Sequence, residues 1–130
     1  MKHLQLFENF EDIESICRRY RITNYTINPD GTVDVDGNVD LGAEPSLLIS
    51  KRLPIKFGKV SGNFSCSDNQ LTSLDGSPTT VGGHFYCSNN LLTTLEGGPK
   101  EVGGNFFCSH NLLTSLEGCP SYVGGHFDCS

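Results

Sequence analysis

Four cysteines stand 21 residues apart, Cys66, Cys87, Cys108 and Cys129, while Cys17 and Cys119 fall outside that series. A thiol can act as nucleophile, metal ligand or disulfide half, and each role makes a geometric demand. Thiols strung at a constant period do not converge on one point, as a tetrahedral metal site requires. The series therefore reads as a packed column, and in-register parallel neighbours turn their Cβ atoms poorly for a disulfide. Cys17 and Cys119 remain as candidate nucleophiles of a hydrolase or transferase. Both read as structural, the first on a helix and the second in a bend.

The other reactive groups fare no better as catalysts. His84 and His126 share the period but lie two units apart with Asn105 between them, about 10 Å in a stacked sheet, too far to share a metal. His110 falls in a bend and His3 in the N-terminal tail, so no Ser-His-Asp or Cys-His arrangement is signalled. Asp34, Asp36, Asn38 and Asp40 around Gly37 resemble a calcium loop. The sixth position is Val39 instead of glycine, and no glutamate occupies the twelfth, so the segment reads as an exposed acidic strand face. The expectation is a chain that is not an enzyme, with no catalytic residue, cofactor or metal.

Composition narrows the partners. The chain has 130 residues, 15 of them glycine, with no tryptophan and a net charge of −6. Eight of its nine basic residues lie before residue 61, and Lys100 alone faces six acids after it. Counterion release on a phosphate backbone needs clustered Lys and Arg, so nucleic acid is excluded as partner. No run approaches the roughly 18 apolar residues of a membrane span. The first twelve residues carry Glu8, Glu11 and Asp12 where a secretory leader has an apolar stretch, which predicts a cytoplasmic protein.

The elements that hold these residues follow from the repeat. Phe64, Phe85, Phe106 and Phe127 keep the 21-residue period. So do Asn69, Asn90 and Asn111, Leu71, Leu92 and Leu113, Leu74, Leu95 and Leu116, and the valines 60, 81, 102 and 123. A piece such as Phe85-Tyr86-Cys87 has strand period, and three residues cannot bury a face alone. Successive coils must stack it into a parallel sheet at about 4.8 Å per coil, with Phe, Cys, Leu and Val as core ladders. The bend asparagines are suited to satisfying turn backbone groups, and the Gly-Gly and Gly-x-Pro segments to closing each coil.

The recurring F-x-C-x-x-N-x-L-x-x-L over residues 57–130 is similar to the core of leucine-rich repeats, with Phe and Cys in the first two leucine positions. More narrowly, N-x-L-T-S-L-E-G-x-P-x-x-V-G-G-x-F-x-C-S resembles repeat proteins of bacteriophage and some bacterial genomes. The resemblance implies a mainly β, leucine-rich-repeat-like right-handed solenoid and a viral or bacterial origin, but no activity. The array stops at Cys129-Ser130 without a polar capping repeat.

Residues 1–41 do not repeat. Leu6, Phe7, Phe10, Ile13, Ile16, Cys17 and Tyr20 recur at helical spacing, predicting an α-helix over about 5–20. Tyr25 and Ile27, the turn Asn28-Pro29-Asp30-Gly31, and Val33 to Leu41 predict a β-hairpin that joins the helix as N-terminal cap. Residues 42–130 then form the solenoid, with an irregular first coil at 42–60 and regular repeats from 61 to 130.

Outward residues of the Phe-x-Cys strands vary while the core columns hold. Aromatic anchors amid polar groups make an interface centre, which places protein binding at His84, Tyr86, Asn105, Phe107, His126 and Asp128. The expected function is a non-catalytic binding module, following the resemblance a phage-encoded inhibitor or adaptor acting on a host protein. The alternative is a self-assembling structural protein, a homodimer pairing through its uncapped last strand.

Overall fold

The computed structural model describes residues 13–42 and 51–129. Its architecture is the expected one, mainly β with one short helix followed by a parallel solenoid of about four turns. Helix α1 covers residues 13–19 of the described chain; the stretch of the predicted helix before 13 lies outside it. Arg21 adopts a left-handed φ of 58°, and the Ile22 N–H donates to the Cys17 carbonyl at 2.8 Å, a Schellman-type stop. Cys17, Tyr20 and Ile22 are buried in the same apolar cluster as the coil ladders, so the helix does join the core.

The hairpin forms as read. Strand β1 (Tyr25–Ile27) pairs antiparallel with β2 (Val33–Val35). Between them the Gly31 N–H donates to the Asn28 carbonyl, and Asp30 Oδ1 accepts from the Thr32 N–H and hydroxyl. Those two bonds favour the ionised Asp30 carboxylate and lower its pKa. The apolar run from Val33 to Leu41 does not continue as one strand, however. It bends at Gly37 (φ 139°) into β3 (Val39–Asp40), and β2 and β3 each start a parallel ladder. The solenoid thus begins inside the segment expected to be only a cap, ahead of the 41/42 boundary.

Each later coil supplies two strands. The outer edges of the coils form β4 (Phe57–Val60), β6 (Thr80–Val81), β8 (Glu101–Val102) and β10 (Tyr122–Val123). The Phe-x-Cys pieces form β5 (Phe64–Ser65), β7 (Phe85–Tyr86), β9 (Phe106–Phe107) and β11 (Phe127–Asp128). The first set extends β1 and β2 into a six-stranded sheet, and the second extends β3 into a five-stranded one. The repeat reading anticipated only the second sheet, because a strand such as Glu101-Val102 buries a single residue and shows no alternation.

Register follows the 21-residue period without slippage: Phe64 pairs with Phe85, Phe85 with Phe106 and Phe106 with Phe127. The phenylalanine rings stack at 5.5, 5.2 and 5.0 Å with interplanar angles of 7 to 8°. Cys66, Cys87 and Cys108 align behind them, buried, with the Cys66 and Cys87 N–H groups donating to the Tyr86 and Phe107 carbonyls of the next coil. At the last described coil the ladder is half open. Phe127 is 38% and Leu116 53% exposed, whereas their counterparts Phe106 and Leu95 are fully buried.

The glycine pairs serve a purpose other than turning. Neither glycine of Gly103-Gly104 has a positive φ. A Cβ on Gly103 would fall on the Gly82 carbonyl of the preceding coil, and one on Gly104 would fall on the His84 ring. Backbone packs on backbone at this corner, and any side chain forces the coils apart. Gly103→Ala is therefore expected to destabilise the fold by about 1–3 kcal/mol. A chemical-denaturation midpoint equal to that of the parent protein would refute this.

Candidate functional site

The outward face of the five-stranded sheet carries three columns, one along each side of a central row. Ladder pairing sets the central row as Asp40, Ser65, Tyr86, Phe107 and Asp128. The Tyr86 and Phe107 rings, half-buried, stack 5.3 Å apart at 6°. One flat face of each ring is spent on the other. The His84 ring lies 6.0 Å from that of Tyr86, tilted by 55°. On the other side, the Ser109 hydroxyl donates to Asp128 Oδ1 at 3.4 Å.

The polar column beside the rings is built of Asn38, Asn63, His84, Asn105 and His126, and it works as a ladder of acceptors. Asn38 Oδ1 accepts from the Asn63 N–H, and Asn63 Oδ1 accepts from the His84 N–H, each at 2.8 Å. His84 Nδ1 accepts from the Asn105 N–H at 2.9 Å, and Asn105 Oδ1 from the His126 N–H at 2.8 Å. Every coil thus covers a backbone donor that the corner would leave open. The bond to Nδ1 fixes the His84 tautomer with its proton on Nε2. His84 and Asn105, both half-buried, are consequently structural, a role that the sequence reading did not give them.

This ladder makes a specific forecast. His84→Asn keeps an acceptor in place and is expected to alter stability by less than about 0.5 kcal/mol, whereas His84→Leu orphans the Asn105 N–H and costs about 1–2 kcal/mol. Equal midpoints for the two variants would contradict the assignment.

The structure gathers four of the six predicted binding residues, His84, Tyr86, Asn105 and Phe107, on two adjacent coils. His126 and Asp128 continue the same columns on the last described coil, where both are exposed. Asn63 belongs with them. Its place one period before His84 was the available signal.

The acidic segment has another use. Asp34 Oδ1 accepts from the Lys59 N–H at 2.9 Å, Asp36 Oδ1 from the Ser61 hydroxyl at 2.9 Å and Asp40 Oδ1 from the Gly42 N–H at 3.0 Å. Asp34 and Asp36 fasten the first coil to the second, and Asp40 holds the bend of its own coil. Asp34, Asp36 and Lys59 also line an open groove of about 420 Å³ on the six-stranded sheet. Among the described residues no group of three or more His, Cys, Asp or Glu could hold a metal ion, and no helix is long and apolar enough to cross a membrane.

The thiols differ sharply in environment. Cys17 is buried, and burial together with the Glu14 carboxylate pushes its pKa up to about 11. Burial pushes Cys87 up to about 12, and burial followed by the neighbouring Cys87 holds Cys66 well above the ordinary thiol value. Such thiols stay neutral near pH 7 and are not nucleophiles. Cys119 is exposed, beside Lys100 in a groove of about 400 Å³. In-register pairing brings the Cys108 and Cys129 sulfurs together at the last described coil, with Cα atoms 4.5 Å apart.

The raised thiols stabilise the fold only while protonated. Their folded values lie above the unfolded value near 9.0, so the contribution is complete below that pH and declines as pH rises toward about 11 for Cys17 and about 12 for Cys87. Each thiol then withdraws about 1.4 kcal/mol per pH unit. Denaturation midpoints should fall steeply above about pH 9 and less steeply in Cys87→Ala. A flat profile there would remove the argument.

Comparison with family models, curated proteins and solved structures returns no match for the chain. The function is therefore argued from the geometry of the solenoid faces.

Proposed function

We propose that the chain is a non-catalytic protein-binding module that engages its partner with the five-stranded sheet face around Tyr86 and Phe107. One observation carries the reading: a rigid, half-exposed aromatic pair sits at the centre of a face otherwise made of Ser, Asn, His and Asp. Aromatic anchors ringed by polar groups concentrate binding energy, and rings already stacked lose little entropy on docking. The likeness to bacteriophage repeat proteins adds that the partner is a host protein in the cytoplasm, which the module inhibits or recruits.

The test compares proteins captured by the parent chain with those captured by Tyr86→Ala/Phe107→Ala, with circular dichroism as control of folding. The reading expects specific partners to disappear from the folded variant. An unchanged set removes this face from consideration.

A second reading is self-assembly, a homodimer of this chain. Light scattering decides it, since a monomer at high concentration excludes such pairing.

A further inference from the structure

Resting on the protein-binding reading, we propose that the segment held by this face is a proline-rich stretch in the polyproline II conformation, lying along the solenoid axis across the coils. The argument begins with what remains free for hydrogen bonding. The acceptors of Asn63, His84 and Asn105 are all engaged by the backbone N–H of the following coil. No hydrogen bond among the described residues uses Asn63 Nδ2, His84 Nε2 or Asn105 Nδ2. Asn63, His84 and Asn105 therefore present donors only, one per coil, beside the apolar ridge of Tyr86 and Phe107.

A matching ligand offers acceptors, carries few donors and is apolar and uncharged. Charge excludes a polyanion, because Asp40 and Asp128 terminate the central row and residues 61–130 hold only one base. A base or sugar that stacks on a flat platform finds one face of each ring already covered by the other. An ordinary extended peptide brings its own N–H groups against the donor row. Proline has a carbonyl and no N–H, and its ring packs on apolar ridges.

Spacing supports the same choice. Asn63 and Asn105 lie two coils apart, about 9.6 Å in a sheet of this kind. A polyproline II helix advances about 9.3 Å per turn of three residues. Carbonyls of residues three apart thus meet both amide donors, and the intervening prolines lie over the ring pair. The preformed helix also loses little entropy on binding.

The probe is a fluorescein-labelled, amide-capped decaproline titrated with the full chain and read by anisotropy. Saturable binding is expected, absent in Tyr86→Ala/Phe107→Ala and unchanged in Glu101→Gln on the opposite sheet. The decisive variant is Asn63→Asp/Asn105→Asp. Its carboxylate oxygens still accept the N–H bonds that hold the coils, so the thermal midpoint persists while both free donors vanish and binding weakens about tenfold or more. Failure of decaproline to bind overturns the proposal. So does equal binding by a Gly-Ser peptide of the same length, or an Asp double variant that binds like the parent. If decaproline is ignored but captured proteins still depend on Tyr86 and Phe107, the polyproline class falls and the binding-module reading stands; if neither holds, both fall.

Discussion

Asn90→Ala is expected to lower the stability of the chain by about 3–5 kcal/mol, more than any exposed substitution on either sheet. Its amide is buried and fully used. Oδ1 accepts from the Asn69 and Leu71 N–H groups at 3.0 and 2.9 Å. Nδ2 donates to the carbonyls of Cys66, Cys87 and Ser88 at 3.1, 3.0 and 3.3 Å. One side chain thus closes the bend of its own coil and fastens it to the coil before. Truncation leaves the Asn69 and Leu71 N–H groups without partners, each costing about 1–3 kcal/mol before relaxation, and strips one bond from each of the three carbonyls, which keep only Asn69 Nδ2, Asn111 Nδ2 and the Asp68 N–H. Asn111 offers an internal comparison. It is half-buried and its Oδ1 takes a single bond, from the Leu92 N–H at 3.0 Å, so Asn111→Ala should cost roughly half as much. Urea denaturation followed by circular dichroism measures both. A loss below about 1 kcal/mol for Asn90→Ala would mean that water replaces the amide and the ladder is not cooperative.

Phe85→Ala should cost a comparable amount, about 3–5 kcal/mol, by a different mechanism. Its ring is fully buried between Phe64 at 5.5 Å and Phe106 at 5.2 Å, so truncation opens a cavity in the middle of the stack. In a solenoid each coil contacts only its neighbours, and a void between coils weakens both interfaces at once. Phe127→Ala removes the same ring from an end where it touches one neighbour and is 38% exposed. Its cost should stay near about 1 kcal/mol or below. Matching losses at the two positions would show that the stack is not a nearest-neighbour system.

The two substitutions mark how far the sequence could be read. Phenylalanine, cysteine, leucine and asparagine recurring at a single period can satisfy that period only by stacking on themselves, and the ladders appear in that register. The amphipathic stripe ending at Tyr20 and the Asn-Pro-Asp-Gly turn are local signals, and both led to the helix and hairpin that are present. The six-stranded sheet escaped notice because two-residue strands such as Thr80–Val81 and Glu101–Val102, with one buried valine each, carry no alternation. The split of Val33 to Leu41 into β2 and β3 escaped for a related reason: an alternating run reads as one strand whether or not a glycine bends it midway. The candidate face was legible as varying outward positions, Asn63 among them, but neither a place for Asn63 in the binding set nor the structural duty of His84 was.

What the amino-acid order determined alone is the periodic part of the molecule: which residues face inward, which stack, and how many turns they make. These follow from composition and spacing, because burial and in-register pairing act alike on every copy. Only the tertiary structure decided that each coil feeds two sheets, that glycine pairs are needed for backbone contact between coils, and that the acceptors of Asn63, His84 and Asn105 are consumed while their donors stay free. Each of those facts depends on the direction in which one coil meets the next, and a hydrogen bond between residues 21 apart is a property of that meeting and of neither residue by itself.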